Sequence, residues 1–199
     1  MHFSGGINRP PYEAAAVPRV YYEGILGGRC GRPVHRRRMR SERCPGKLNK
    51  GYSADDTREQ CLRLNAAGIG HCDLLMLGTA GKGRGLECAR ASAKLENEIK
   101  PKKILINTMS AFVGTQLDEE IKTGAFIPAS EKGNLEEERE FLAGLDLPDC
   151  YFWALHPLDS VKIDGILREE KQQMLDALTW SIEHVNESRI NRSSRVGTL

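Results

Sequence analysis

Polar and apolar residues fall into two regimes that meet near residue 47. Before it, no period of 2 or 3.6 persists; after it, apolar positions recur at helix or strand spacing. Ser53-Ala-Asp-Asp56 has the form of a capping box. It predicts a helix through Cys61, Leu62 and Leu64 to Ala67, with Gly68 as the residue that ends it. The apolar run Cys72–Leu77 predicts a buried strand, followed by a glycine-rich loop over 78–85. A second helix is predicted over 86–99, with Leu86, Ala89, Ala93 and Leu95 on its apolar face and Pro101 as its stop. Residues 103–109 read as a second strand, and Gln116–Lys122 as a short helix closed by Gly124. Asn134-Leu-Glu-Glu137 predicts a capping box for a helix to Ala143, and 150–155 a third strand. The last helix is predicted over 169–186, with Met174, Leu175, Leu178, Ile182 and Val185 on one face; the polar tail from Ser188 is expected to fray.

Strand and helix thus alternate across short connections, which predicts parallel strands joined by right-handed helical crossovers. Only three strands are legible. A complete α/β barrel or doubly wound sheet needs more, so residues 47–199 read as part of one, with a sheet flank left open.

Composition sharpens the division. Residues 1–46 form an irregular segment in which, from Pro18 to Gly46, every basic side chain except His35 is arginine. The 199-residue chain has a net charge of +2, which by itself selects no anionic partner. With 40% hydrophobic residues it can build a core, and no run approaches the ~18–20 apolar residues that span a bilayer. The start of the chain lacks an apolar signal segment, so a cytoplasmic protein without a membrane partner is expected. Six cysteines, Cys30, Cys44, Cys61, Cys72, Cys88 and Cys150, include no C-x-x-C pair. No disulfide framework and no zinc-finger spacing is expected, and Cys61, Cys72 and Cys88 read as small buried hydrophobes. No residue is assigned to a metal.

The candidate chemistry lies at the loops. A glycine-rich loop between a strand and a helix sits where α/β sheets bind ligands, although 78–85 matches neither a P-loop nor a dinucleotide fingerprint. Arg36-Arg37-Arg38-Met39-Arg40 lacks interleaved aromatics and helical spacing, so it reads as a solvated charge run rather than a nucleic-acid site. Glu136, Glu137, Glu138 and Glu140 are read as acidic residues favoured early in a helix. His156 before Pro157 is read as a loop cap, and no Ser/His/Asp set is evident.

Several segments occur in an order that resembles a known family. They are Lys47-Leu-Asn-Lys-Gly51, Leu77-Gly78-Thr-Ala-Gly-Lys-Gly-Arg-Gly85, the strand ending at Met109, and Phe112-Val-Gly-Thr115-Gln-Leu-Asp-Glu-Glu-Ile121. Together with 151–164 and the lead-in Phe3-Ser-Gly-Gly-Ile-Asn-Arg-Pro-Pro-Tyr-Glu13, they resemble radical S-adenosylmethionine (AdoMet) proteins of an oxidoreductase-like group. The resemblance implies an α/β fold: a partial (β/α) barrel of the radical AdoMet type, retaining the C-terminal strands and helices. It implies AdoMet and a [4Fe–4S] cluster as cofactors, with the backbone of Leu77 and Gly78 facing adenine and Asn107 and Met109 nearby.

The sequence departs from that pattern at the cluster. The family's C-x-x-x-C-x-x-C motif is absent, and fewer than thirty residues separate the lead-in from residue 41, where the family has about four strands. The family's acidic E-S-G segment falls on Arg38-Met39-Arg40, which removes a carboxylate expected near the ribose. Cys30 and Cys44 could be surviving ligands, but a third is missing. An internal deletion accounts for these features, and the chain is expected to be catalytically inactive as written. The alternative is a non-catalytic interaction module that pairs an open sheet edge with another chain or a second copy. A basic nucleic-acid-binding arm is the third class.

Overall fold

The computed structural model describes residues 53–185 and the backbone of residues 37–38 and 195–196. All belong to one compact unit, His35–Leu199. The lead-in, Cys30, Cys44, Lys47-Leu-Asn-Lys-Gly51 and the tail from Ser188, apart from residues 195–196, lie outside the described residues.

The capping box at Ser53 forms as expected. The Ser53 hydroxyl accepts from the Asp56 N–H at 3.1 Å, and Asp56 Oδ2 accepts from the Ser53 N–H at 2.7 Å. Helix α1, Ala54–Ala66, follows, and Gly68 takes a left-handed φ of +71°. Strand β2, Cys72–Leu77, comes next; it pairs on one side with the two-residue β1, Arg37–Arg38, a pairing the aperiodic arginine run did not announce. Helix α2, Gly85–Ile99, ends at Lys100 in a left-handed conformation, immediately before Pro101. Then come β3, Lys103–Thr108; β4, Ala111–Phe112; and α3, Gln116–Lys122, with the predicted bounds. Helix α4, Glu131–Gly144, begins one turn before the expected box. Its cap is Ser130, whose hydroxyl accepts from the Gly133 N–H at 3.2 Å, so Asn134 lies inside the helix.

Strand β5, Tyr151–Ala154, is followed by β6, Ile163–Ile166, which the sequence reading left as loop. Helix α5, Leu167–His184, closes the unit, and β7, Arg195–Val196, pairs with β4 in a separate two-stranded ladder. The main sheet has the order β1-β2-β3-β5-β6. Its strands are parallel except β6, which runs antiparallel to β5 with Trp153 opposite Asp164. The fold is therefore mixed α/β with a mostly parallel sheet.

The order β2, β3, β5 advances in one direction. Right-handed crossovers then place α2 and α4 on the same face, and these two helices pack against each other, α1 against α2 and α5 against α4. The alternating burial of the strands follows. Leu75, Leu77, Ile104, Ile106, Phe152 and Ala154 are buried under the helices with Ile99, Phe141 and Leu142. Leu74, Leu105 and Trp153, in register across the sheet, occupy the other, half-buried face. Lys103 lies over the Tyr151 and Trp153 rings there, at 5.2 and 5.6 Å.

Candidate functional site

The carboxyl ends of the parallel strands collect the residues expected to bind a ligand. Register pairs Met76 with Asn107 and Leu77 with Thr108, so Gly78 and Met109 follow side by side. The Met109 N–H donates to the Leu77 carbonyl at 3.0 Å. Leu77 is buried under the helices, whereas Asn107 lies on the half-buried face. The Asn107 Oδ1 atom is buried and has no hydrogen-bond partner among the described residues.

Gly78 begins the glycine-rich loop with φ +79°, a conformation that disfavours a side chain. Its N–H is already committed: it donates to Glu137 Oε2 at 3.0 Å, and its carbonyl accepts from the Gly81 N–H at 3.1 Å. A ligand at this point therefore meets a loop whose backbone is held from below by α4. The loop is held again where the Lys82 N–H donates to the Ile127 carbonyl at 2.8 Å.

The acidic run read as a dipole effect is partly something else. Glu140 is half-buried and paired with Arg90 at 2.6 Å. Glu137 and Glu138 are buried to 2 % exposure. Burial pushes the Glu137 carboxyl up to about 7, opposed by the hydrogen bond from Gly78. Burial raises Glu138 well above the usual carboxylate range, and the nearby Asp159 and Glu131 add to this while Lys162 opposes it. Glu131 and Asp159 are raised as well, chiefly by burial. Glu131, Asn134 and Glu138 fall at i, i+3 and i+7, along one side of α4.

The loop 155–162 completes this acidic layer. Asp159 accepts from the Thr108 hydroxyl at 3.1 Å and from the His156 N–H at 3.0 Å. His156 Nδ1 accepts from the Leu158 N–H at 3.2 Å, the loop-capping role expected of it. Lys162 donates to the carbonyls of His156 and, at 2.7 Å, Asp159. The period of the helix could have revealed Glu138: it stands at i+3 between Leu135 and Leu142, on the apolar stripe itself.

The described cysteines do not suit a cluster at this edge. Cys72 begins β2 and Cys150 immediately precedes β5, at the amino ends of the strands. Cys61 is buried in α1. Cys88, expected as a small buried hydrophobe, is buried but disulfide-bonded, contrary to the expectation of unbridged cysteines. Among the described residues no three thiolates converge on one point, as a [4Fe–4S] centre needs. For AdoMet the chemistry is compatible: the unpartnered Asn107 oxygen can accept from an adenine amino group beside the Leu77–Gly78 backbone.

No helix among the described residues is long and apolar enough to cross a membrane. Comparison with protein-family models, with curated proteins and with solved structures returns no significant match.

Proposed function

We propose that this chain is a partial radical-AdoMet-type α/β domain that binds an adenine nucleoside of the AdoMet kind at the carboxyl edge of its sheet and does not perform radical cleavage. The observation that carries the reading is the buried, unpartnered Asn107 Oδ1, one strand away from the Leu77–Gly78 backbone. The one-directional strand order, with the packed helices α2 and α4 on one face, is what a section of a barrel wall requires, and supports the same reading.

In this reading the chain positions rather than reacts. Asn107 accepts from the base, the Gly78 turn lets the loop approach it, and Glu137 holds that turn through its N–H. With a cluster also bound, AdoMet would supply radical hydrogen-abstraction chemistry. This chain lacks the C-x-x-x-C-x-x-C thiolates that reaction needs.

The test is calorimetric titration of the full chain with AdoMet, alongside anaerobic iron–sulfide reconstitution. Expected are saturable AdoMet binding, at least ~10-fold weaker in Asn107→Leu for a lost hydrogen bond of about 1.4 kcal/mol, and no retained iron. Absence of AdoMet binding would overturn the ligand; about four irons per chain with cluster charge-transfer absorption would overturn the loss of the cluster.

The half-buried sheet face favours the second reading. Trp153, Leu74 and Leu105 form an apolar row there, and among the described residues β1 pairs only with Asp73 and Leu74 of β2. A concentration-dependent dimer in sedimentation, dispersed by Trp153→Asp, would favour the interaction module.

A further inference from the structure

At the opposite, amino end of the sheet, three elements bring a thiol, an imidazole and a carboxylate to one buried point, and a fourth sets a second carboxylate against the first. Cys61 belongs to α1, His71 to the connector after Gly68, Asp73 to β2 and Glu96 to α2. One ligand atom each from Cys61, His71 and Asp73 lies within 4.8 Å of the others. Cys61 is 1 % exposed, Asp73 2 % and Glu96 0 %. We propose that Cys61, His71, Asp73 and Glu96 form a buried zinc site that ties α1, the connector, β2 and α2 together.

The hydrogen bonds of His71 orient it for this role. Its Nε2 lies 2.9 Å from the Ile99 carbonyl oxygen. A carbonyl only accepts, so Nε2 carries a proton, which leaves Nδ1 as the ring atom that can take a metal. That Nδ1 faces both Asp73 oxygens at 3.2 Å. Two acceptors in such contact need a proton or a cation between them. A ligating histidine with its other nitrogen donating to a backbone carbonyl is the usual outer-shell arrangement of a metal site.

The carboxylates supply the independent observation. Neither Glu96 oxygen has a hydrogen-bond donor, and Asp73 Oδ2 has none beyond the imidazole facing it. Glu96 stands against Asp73, which leaves two buried carboxyls in contact with each other. Two buried carboxyls and a thiol beside apolar Leu95, Ile99 and Ala54 form a site where a divalent cation is the natural counter-charge.

The donor set selects the metal. One sulfur, one imidazole nitrogen and two carboxylate oxygens suit borderline-soft zinc, and not calcium or magnesium, which take oxygen ligands. Zinc bonds of roughly 2.0–2.3 Å separate tetrahedral ligand atoms by roughly 3–4 Å, so the Cys61, His71 and Asp73 atoms, which lie within 4.8 Å of one another, need to close by at most about 1.5 Å. Sequence reading missed the site because its ligands come from the spacing Cys61…His71-Cys72-Asp73…Glu96, which is no finger pattern.

The test uses the full chain, stripped with chelator and dialysed, then titrated with Zn²⁺ and with Co²⁺. Expected is one metal per chain at this site, a thiolate-to-cobalt charge-transfer band that Cys61→Ser abolishes, and zinc affinity at least ~100-fold weaker in Glu96→Gln. X-ray absorption of the zinc-loaded wild type is expected to show one sulfur and three nitrogen or oxygen neighbours, a readout that survives if the variants fail to fold. No uptake by the wild type, a charge-transfer band retained in Cys61→Ser, or two or more sulfurs in the zinc shell would each overturn the proposal.

Discussion

Glu137 Oε2 accepts the backbone N–H of Gly78 at 3.0 Å, joining residues 59 positions apart across the top of β2. The carboxyl is buried, so this single contact ties the ionisation of a helix residue to the shape of the loop that faces the proposed ligand. It also makes both residues accessible to simple tests.

Gly78→Ala places a Cβ on a backbone at φ +79°, 2.9 Å from Asn134 Oδ1. The left-handed penalty alone is roughly 1–2 kcal/mol, and the contact adds to it. Urea denaturation is expected to show a loss of at least about 1 kcal/mol, with the m-value unchanged.

Glu137 makes stability fall as pH rises. Its folded-state carboxyl titrates near 7 and its ordinary value is 4.5, so between these the native state holds the extra proton. The contribution is intact below pH 4.5 and is lost as pH rises through about 7, a difference on the order of 3 kcal/mol. Glu131, Glu138 and Asp159 are raised as well and steepen the wild-type profile in the same sense. In Glu137→Gln the decline between pH 5 and pH 8 is expected to be shallower by about that amount, measured by denaturant midpoints across the range; identical slopes would sink the assignment.

The start of α4 can be read by a pair of substitutions. Ser130→Ala is expected to lower stability by about 1 kcal/mol through loss of the cap. Asn134→Ala, inside the helix, is expected to cost less than half as much, because alanine suits a helix interior. The reverse ranking in thermal melts would restore Asn134 as the cap.

Phe141 of α4 and Phe152 of β5 are both fully buried, with ring centroids 6.4 Å apart. Truncating either to alanine is expected to cost ~3–5 kcal/mol. The double mutant is expected to reveal a coupling of about 0.5–1.5 kcal/mol between them, obtained from a cycle of chemical denaturations.

Local chemistry explains where sequence reading succeeded. The Ser53 box, the Gly68 end, β2 and the bounds of α3 depend on residues within one turn or one short run. It failed at β6 for an equally local reason: Ile163-Asp-Gly-Ile166 is too short and polar to announce a strand, and forms one by pairing Gly165 against Phe152. It failed at α4 because Ser130 and Asn134 are both good caps by type, one turn apart, and only the path of the chain chose between them.

The alternation of strands and helices was legible in the chain alone, because hydrophobic period and capping act over a few residues. Tertiary structure alone decided the state of the acids. Helical period marks Glu138 as a stripe position, but nothing adjacent in the chain distinguishes Glu96 and Glu137 from half-buried Glu140. What separates them is what lies opposite: the Gly78 N–H over Glu137, Asp159 beside Glu138, Asp73 beside Glu96. Ionisation responds to desolvation and to charges a few ångströms away, and those distances exist only once distant segments of the chain have packed together.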